Sequence, residues 1–357
     1  MVFIFSGFVK GVDPLGTAYR IEDYFVAFHM PWAVQFALFL SILLCTVEFI
    51  LGISMLFNLW IRYTAWILLP MMIFFALLTL NDAIFNPVPD CGCFGDALKL
   101  TNIQTFLKNI VLMGLIIPIF AWRKKFKSLF PGSMEFSFLI LFIVLFSGFS
   151  ICCYRHLPFI DFMKWKVGNV VNKEKRLPVK FYLTYKNKKT GEEKEYLSSN
   201  YPWNDPKWVS EWEFKSQRAD DPNKPDAMVL RIEDLRGNDQ TRTILDNPDP
   251  QFILVAYDLT KTNTKAFNRI LPLYKKAEAS GYSFICLTSA ISDEIKKFKL
   301  RTGTSFEYDN ADDAVLKTMV RSNPGLILMK NGKVLAKWGW RDIPHYDEAM
   351  KKLKIEN

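Results

Sequence analysis

Charge is scarce in the first part of this sequence. Of its 45 Lys and Arg residues, only ten fall within residues 1–155, and the other 35 crowd the stretch beyond. A chain that avoids charge over such a length is a membrane domain, here followed by a soluble one. No basic tract interleaves with aromatic residues, which removes a nucleic-acid surface as a function. The net charge of +9 is spread among 36 acidic residues, as on an ordinary solvated surface. No long repeat or low-complexity run occurs. The opening MVFIFSGFVK lacks both the basic n-region and the small-residue cleavage site of a signal peptide. Histidine is rare, with three residues in the chain, so a zinc site has little to build on.

Four apolar runs are each long enough to cross a bilayer, which takes about 20 helical residues. They are 34–59, 63–86, 103–122 and 136–153, with Pro70 as a candidate kink in the second. MVFIFSGFVK offers nine residues before Lys10, about half a span. It reads as the exit end of a truncated helix, or as a segment that inserts only in part. Orientation follows the basic loops. RKKFK at 123–127 is the densest charge in this half and belongs in the cytoplasm, and Arg62 agrees. The 87–102 loop is then on the outer face, and the last span carries the C-terminal domain outward. Arg155, Lys164 and Lys166 fall on the exported side, which large translocated domains tolerate.

Six cysteines are present. Cys45 in a span and Cys286 in the apolar stretch SFICL read as small buried hydrophobes. Cys91 and Cys93 stand apart. They lie in PDCGCFGDALKLT, residues 89–101, between Asp90 and Asp96, and the topology places them in an oxidising compartment. A disulfide across one intervening residue closes a very small ring, for which Gly92 supplies the backbone freedom. Such a bond is strained and labile, which suits exchange. A structural disulfide or simple packing is the second reading. A metal site is the third, with two thiols and two carboxylates in the loop and only His29 and His156 in other loops. Thr101 and Gln104 form a T-x-x-Q capping box opening the next helix. Its positive end favours a thiolate, weakly at this separation. Cys152 and Cys153 end the last span on the same face. They read either as exchange partners of the loop pair or as small residues at a helix end.

Glu48 lies near the centre of its span, where an ionisable group costs roughly 3 kcal/mol, so it is expected to face the bundle interior. It is either a proton- or quinone-contacting group or a carboxyl bonded to a neighbouring helix. Asp82, nearer the outer end, is more easily hydrated and is weaker evidence of function.

These residues carry a resemblance. FIFSGFVKGVDP, the Glu48 span, and DCGCFGD followed by LTNIQTFLKNIVL resemble the DoxX-like/MauE family over about residues 1–125. In that family FSGFVK follows the body of a first helix. The resemblance implies a four-helix bundle in a bacterial inner membrane, with 136–153 an added span and the C-terminal domain in the periplasm. MauE is linked with methylamine utilisation and with disulfide formation in an exported dehydrogenase subunit; other relatives are associated with quinol oxidation or sulfur metabolism. The redox pair carries over to Cys91 and Cys93. The extra span and the large exported domain depart from the short family pattern, which sets a methylamine role apart.

Beyond the basic loop and added helix of 126–155, residues 156–250 are polar and aromatic. VKFYLTY and MVLRIEDL alternate as strands, and KNKKTGEEKE marks a hairpin turn, giving a small β-rich subdomain. From 251 to 357 the order is strand FILVAYD, helix, strand YSFICLTS, helix, short strand FEYDN, helix, a hairpin around Asn331-Gly332, and a last helix. This resembles a thioredoxin fold, with Pro324 at the place of its cis-proline. Where active thioredoxins carry C-x-x-C, this chain reads DLTKTNTKAF, without cysteine. The domain therefore cannot cycle a dithiol, and reads as a tethered module binding clients beside Asn323 and Pro324, or as one kept for stability or assembly.

Three functions fit. One is a membrane thiol–disulfide oxidoreductase that exchanges electrons between Cys91/Cys93 and exported protein clients or Cys152/Cys153, with quinone as a candidate final acceptor although no quinone motif is visible. The second is a non-catalytic subunit or scaffold assembling an exported complex, with a structural Cys91–Cys93 disulfide. The third, transport of a small solute, has only Glu48 and Asp82 in its favour.

Overall fold

A computed structural model of the chain describes residues 1–88, 91–171, 180–188, 190–198, 200–220 and 230–355. The membrane part begins with α1 (Val2–Val12) and α2 (Pro14–Ala27). Asp13 stops the first and caps the second: its side chain accepts from the Gly16 N–H, with Pro14 at the first helical position. A short tight turn, Pro31–Phe36, leads into α3 (Ala37–Leu56), followed by α4 (Ile61–Phe85), α5 (Asn102–Trp122) and α6 (Gly132–His156). Four stretches are long and apolar enough to span a membrane: Pro31–Leu56, Ile61–Phe85, Asn102–Trp122 and Met134–His156. They coincide with the four expected runs to within a few residues. Pro70 sits inside α4, and the expected capping box opens α5, with Thr101 and Gln104 bonding reciprocally.

Between these helices there is little hydrophobic drive in lipid, so close backbone approach holds them together. α1 lies against α3 through two glycines. A Cβ at Gly7 would stand 2.6 Å from the Phe49 backbone nitrogen, and one at Gly52 2.7 Å from that of Ile4. Phe39, Trp66, Phe74, Leu77, Val111, Leu115 and Val144 point outward as a lipid-facing shell.

The soluble part opens with β1 (Lys180–Asn187), β2 (Glu193–Leu197), α7 (Pro206–Glu211) and β3 (Trp212–Asp220). The strands form an antiparallel sheet in the order β2-β1-β3, and the expected hairpin joins β1 to β2. Tyr185 packs 4.7 Å from Trp208 and 5.6 Å from Tyr201 over it.

There follow β4 (Ile232–Glu233), α8 (Thr241–Leu245), β5 (Gln251–Val255), α9 (Phe267–Ala279), β6 (Ser283–Thr288), α10 (Ser292–Thr302), β7 (Glu307–Ala311), α11 (Asp313–Met319), β8 (Gly325–Lys330), β9 (Lys333–Gly339) and α12 (Tyr346–Ile355). The second sheet runs β4-β7-β6-β5-β8-β9, with β5, β6 and β7 parallel and β8 and β9 antiparallel. β5 is buried along its whole length because helices cover both faces. Phe252 and Leu254 face a core with α9, α10 and α12; Ile253 and Val255 face one with α8 and α11. Asn331 and Gly332 take φ of 47° and 71°, as a two-residue hairpin turn requires. This is a thioredoxin-like α/β domain, and the Asn323-Pro324 bond is cis.

The 156–250 stretch divides differently from its reading as one β-rich subdomain. MVLRIEDL lies partly outside the described residues, and its Ile232–Glu233 pairs with β7 at the edge of the larger sheet. Ile232 is fully buried there, and Ile244 of α8 joins the same core. Burial of these apolar side chains draws residues 230–250 into the thioredoxin-like unit.

Candidate thiol site

Cys91 and Cys93 lie in the turn between α4 and α5, with sulfur atoms 3.5 Å apart. Gly92 serves the turn in two ways: its φ is +64°, and a Cβ would stand 2.9 Å from Arg20 Cγ of α2, which folds over the loop. Asp90 lies outside the described residues.

The floor of the site comes from α1 and α3. Ser6 Oγ is 2.7 Å from the Cys93 carbonyl and 2.8 Å from Glu48 Oε2. Lys10 Nζ donates to both Glu48 oxygens at 2.6 and 2.8 Å. Ser6 and Lys10 are one helical turn apart and so share a face. The short first helix, expected as the exit end of a span, thus supplies the cation for Glu48. Glu48 faces the interior as expected, bonded to a neighbouring helix.

Asp82 differs from its expected hydrated state. It is fully buried, because Tyr24 of α2 covers it and donates to Oδ2 at 2.5 Å. Its Oδ1 has no hydrogen-bond partner among the described residues. The Tyr24 hydroxyl also bears on the Cys91 thiol, favouring its thiolate against the effect of burial. On the other side, Lys108 of α5 lies 4.7 Å over the Phe94 ring, close enough to act on Cys93.

These surroundings make the two thiols unequal. Hydrogen bonding from Cys91 holds the Cys93 thiol down at about 6, aided by the charges of Lys108 and Lys10 and opposed by burial. Hydrogen bonding to Cys93, together with burial, pushes Cys91 far above the usual thiol range. The charges of Lys108 and Lys10 thus favour the thiolate at Cys93, with Cys91 as its hydrogen-bonding neighbour.

Cys152 is exposed and Cys153 is buried at the end of α6; among the described residues neither bonds to the loop pair. Cys45 and Cys286 are fully buried, as expected of small hydrophobes. No three His, Cys, Asp or Glu side chains converge as a metal-binding group among the described residues.

Asn323 turns inward. Its Nδ2 donates to the Asp258 carbonyl at 2.8 Å and its Oδ1 accepts from Thr262 at 2.9 Å. Its own carbonyl accepts the Asn263 N–H. These bonds tie the Pro324 segment to the loop standing in place of C-x-x-C. The neighbouring Arg321 does reach outward, toward the membrane part. Its Nε lies 2.7 Å from Asp13 Oδ2, and a terminal nitrogen 2.7 Å from Asp96 Oδ2. Beside it, the Tyr19 and Tyr257 hydroxyls meet at 2.9 Å, and Lys317 lies 4.8 Å over the Tyr19 ring. The Pro324 edge of the thioredoxin-like domain is thereby seated on the loop that carries the thiols.

Sequence reasoning passed over Ser6, Lys10, Tyr24, Arg20, Lys108 and Arg321. Only Ser6 and Lys10 left a signal, as polar residues at i, i+4 in an apolar half-helix opposite a span with one buried acid.

Fold and site together define a multi-pass membrane protein carrying a thioredoxin-like domain. Residues 1–122 match the family model described as Methylamine utilisation protein MauE. The match falls on the part that resembles the DoxX-like/MauE family and leaves out α6 and the soluble domain. Among solved structures, the chain is similar to a solution structure from Bacteroides thetaiotaomicron described as a candidate protein disulfide isomerase. The two are 12% identical, with a TM-score of 0.27, over 35% of this chain and 82% of that one. A search of curated proteins finds no match.

Proposed function

We propose that this protein is a thiol–disulfide oxidoreductase of a bacterial inner membrane, exchanging disulfides with exported proteins at Cys91 and Cys93. The single observation that carries the reading is a pair of thiols 3.5 Å apart in unequal surroundings, with the charges of Lys108 and Lys10 bearing on Cys93 and burial disfavouring a thiolate at Cys91. In the reducing direction, Cys93 attacks a client disulfide. A Cys93–client bond forms, the client S–S bond breaks, and one client sulfur leaves and takes a proton. Cys91 then attacks Cys93 Sγ, forming the Cys91–Cys93 disulfide and releasing the second client thiol. The reverse sequence oxidises a client dithiol. The contact of Arg321 with Asp96 supports placing loop and soluble domain on one side of the membrane, and the basic loop at 123–127 is the reason to take that side as the periplasm. Glu48, bound by Lys10 and Ser6, serves as a counter-charge beneath the loop, and no quinone contact is assigned to it.

Thiol trapping in intact cells tests the reading. Cys91→Ser is expected to accumulate mixed disulfides through Cys93, and Cys93→Ser to accumulate none. The scaffold reading is favoured by the seating of Arg321 between two carboxylates, an assembly contact that needs no chemistry. A loop pair that stays fully oxidised and never cross-links would establish that reading instead.

A further inference from the structure

We infer that the cavity where α6 leaves the membrane holds the phosphodiester headgroup of a phospholipid, with Lys166 and Lys337 as its cationic contacts. Neither cysteine of the loop lines this cavity, so the site is independent of thiol exchange.

The chain does not stray from the helix end. The Leu157 N–H still bonds the Cys153 carbonyl at 3.2 Å. The soluble domain sits directly on the helix: a Cβ at Gly339 of β9 would stand 2.9 Å from the His156 carbonyl. Residues 157–167 then run along the domain, with Trp165 buried in its core. Between this segment, α11 and β9 lies a cavity of about 480 Å³, the size of a small-ligand site. Its apolar lining includes Leu157, Phe159, Ile160 and Val167. Because α6 is long and apolar enough to cross a bilayer, a cavity that starts at the residue after it lies at the bilayer surface. Phe159 is 82% exposed, Val167 52% and Ile160 40%. Water disfavours such apolar neighbours, and the boundary between headgroups and acyl chains accepts them.

The polar lining is chiefly cationic. The Lys337 side chain is 7% exposed, and its ammonium gives one of three hydrogens to Asp161 Oδ2 at 2.7 Å. The other oxygen of Asp161 accepts the Met163 N–H at 2.9 Å. Burial lowers the proton affinity of Lys337 against the pull of Asp161, and the charge of Arg321 lowers it further, so the ammonium gains from a second anion. Arg321 also lines the cavity, but its guanidinium is committed to Asp13, Asp96 and the Lys317 carbonyl. That leaves Lys337 and the exposed Lys166 facing the single carboxylate of Asp161. A phosphodiester brings one negative charge and acceptor oxygens to the lysines, and its acyl chains bring cover to Phe159 and Ile160. A soluble anion satisfies the cations and not the apolar wall; a plain hydrocarbon satisfies the wall and not the buried ammonium.

The full chain in dodecyl maltoside micelles, stripped of lipid, is titrated with dioleoylphosphatidylglycerol and read by native mass spectrometry. Lys166→Gln, at an exposed position that folding does not depend on, is expected to weaken retention of the lipid about fivefold. Lys337→Met combined with Asp161→Asn, which leaves no buried charge unpaired, is expected to do at least the same. Dioleoylglycerol, with the same chains and no phosphate, is expected not to be retained, and glycerophosphoglycerol, the headgroup without chains, to compete only at far higher concentration. Unchanged retention in both variants, or equal retention of dioleoylglycerol, overturns the headgroup site. Glycerophosphoglycerol binding as tightly as the lipid overturns the membrane as its source. An equal loss in Lys124→Gln with Lys125→Gln, in the basic loop before α6, shows general attraction to anionic lipid and overturns the site as well.

Discussion

Replacing Arg321 by Met removes the cation that seats the thioredoxin-like domain on the thiol loop. The guanidinium side chain is 7% exposed and contacts Asp13 and Asp96, themselves 12% and 16% exposed, at 2.7 Å each. Removing one member of a buried ion group typically costs about 3–5 kcal/mol, because the charges left behind have neither partner nor water. Here both carboxylates retain some solvent, so the lower end applies, about 3 kcal/mol. At 1.4 kcal/mol per tenfold, that is a rise of about a hundredfold in the opening of the contact. Hydrogen exchange of the 91–97 amides reads it directly, since the Gly95 N–H is held by the Gly92 carbonyl inside the turn that carries Asp96. The Tyr19–Tyr257 contact limits the loss to local opening. If uncompensated charge is the cause, Arg321→Met combined with Asp13→Asn and Asp96→Asn recovers more than half of the protection, asparagine still capping α2. Unchanged exchange in the single variant, or faster exchange in the triple than in the single, refutes the reasoning.

Four further outcomes follow from the same site. Alkylation of Cys93, resolved by mass spectrometry, is expected to rise through pH of about 6 and level off above it, and Lys108→Gln to move that midpoint upward. Since folding lowers this thiol below its unfolded value of about 8.5, its contribution to stability is complete above that value and is lost as pH falls toward 6, which pH-dependent melting of the reduced protein checks. Lys10→Met or Glu48→Gln alone leaves a buried charge unpaired and is expected to cost about 3–5 kcal/mol, whereas Lys10→Met with Glu48→Met costs much less; thermal melts in micelles compare them. Gly7→Ala drives a methyl group onto the α3 backbone, which is expected to cost about 1–3 kcal/mol in thermal melts in micelles.

How much of this was legible in the sequence depends on whether the signal is local. Hydropathy is a property of consecutive residues, so the four spans stood out to within a few positions. The thioredoxin-like order was equally open, because strands buried on both faces read as unbroken apolar runs and Asn331-Gly332 announces its turn. β4 escaped, since two residues carry no period; what fixes it is the burial of Ile232 against a strand nearly eighty positions on. Asp82 misled for a related reason. Depth along a helix suggested water, but a tyrosine from another helix takes the water's place.

The thiol asymmetry was beyond sequence reading altogether. CGC shows two equivalent cysteines, and the difference between them comes from groups that no spacing rule links: Lys10 on α1, Tyr24 on α2, Asp82 on α4, Lys108 on α5. Arg321 and Asp13 are 308 positions apart. That dispersal bears on function. A disulfide kept only as a staple needs two sulfurs and a turn, and is indifferent to which sulfur ionises. Here cations lie toward Cys93, while a tyrosine and a buried acid lie toward Cys91. These groups bear unequally on the two sulfurs, which supports the proposal that the bond between them is made and broken in turn.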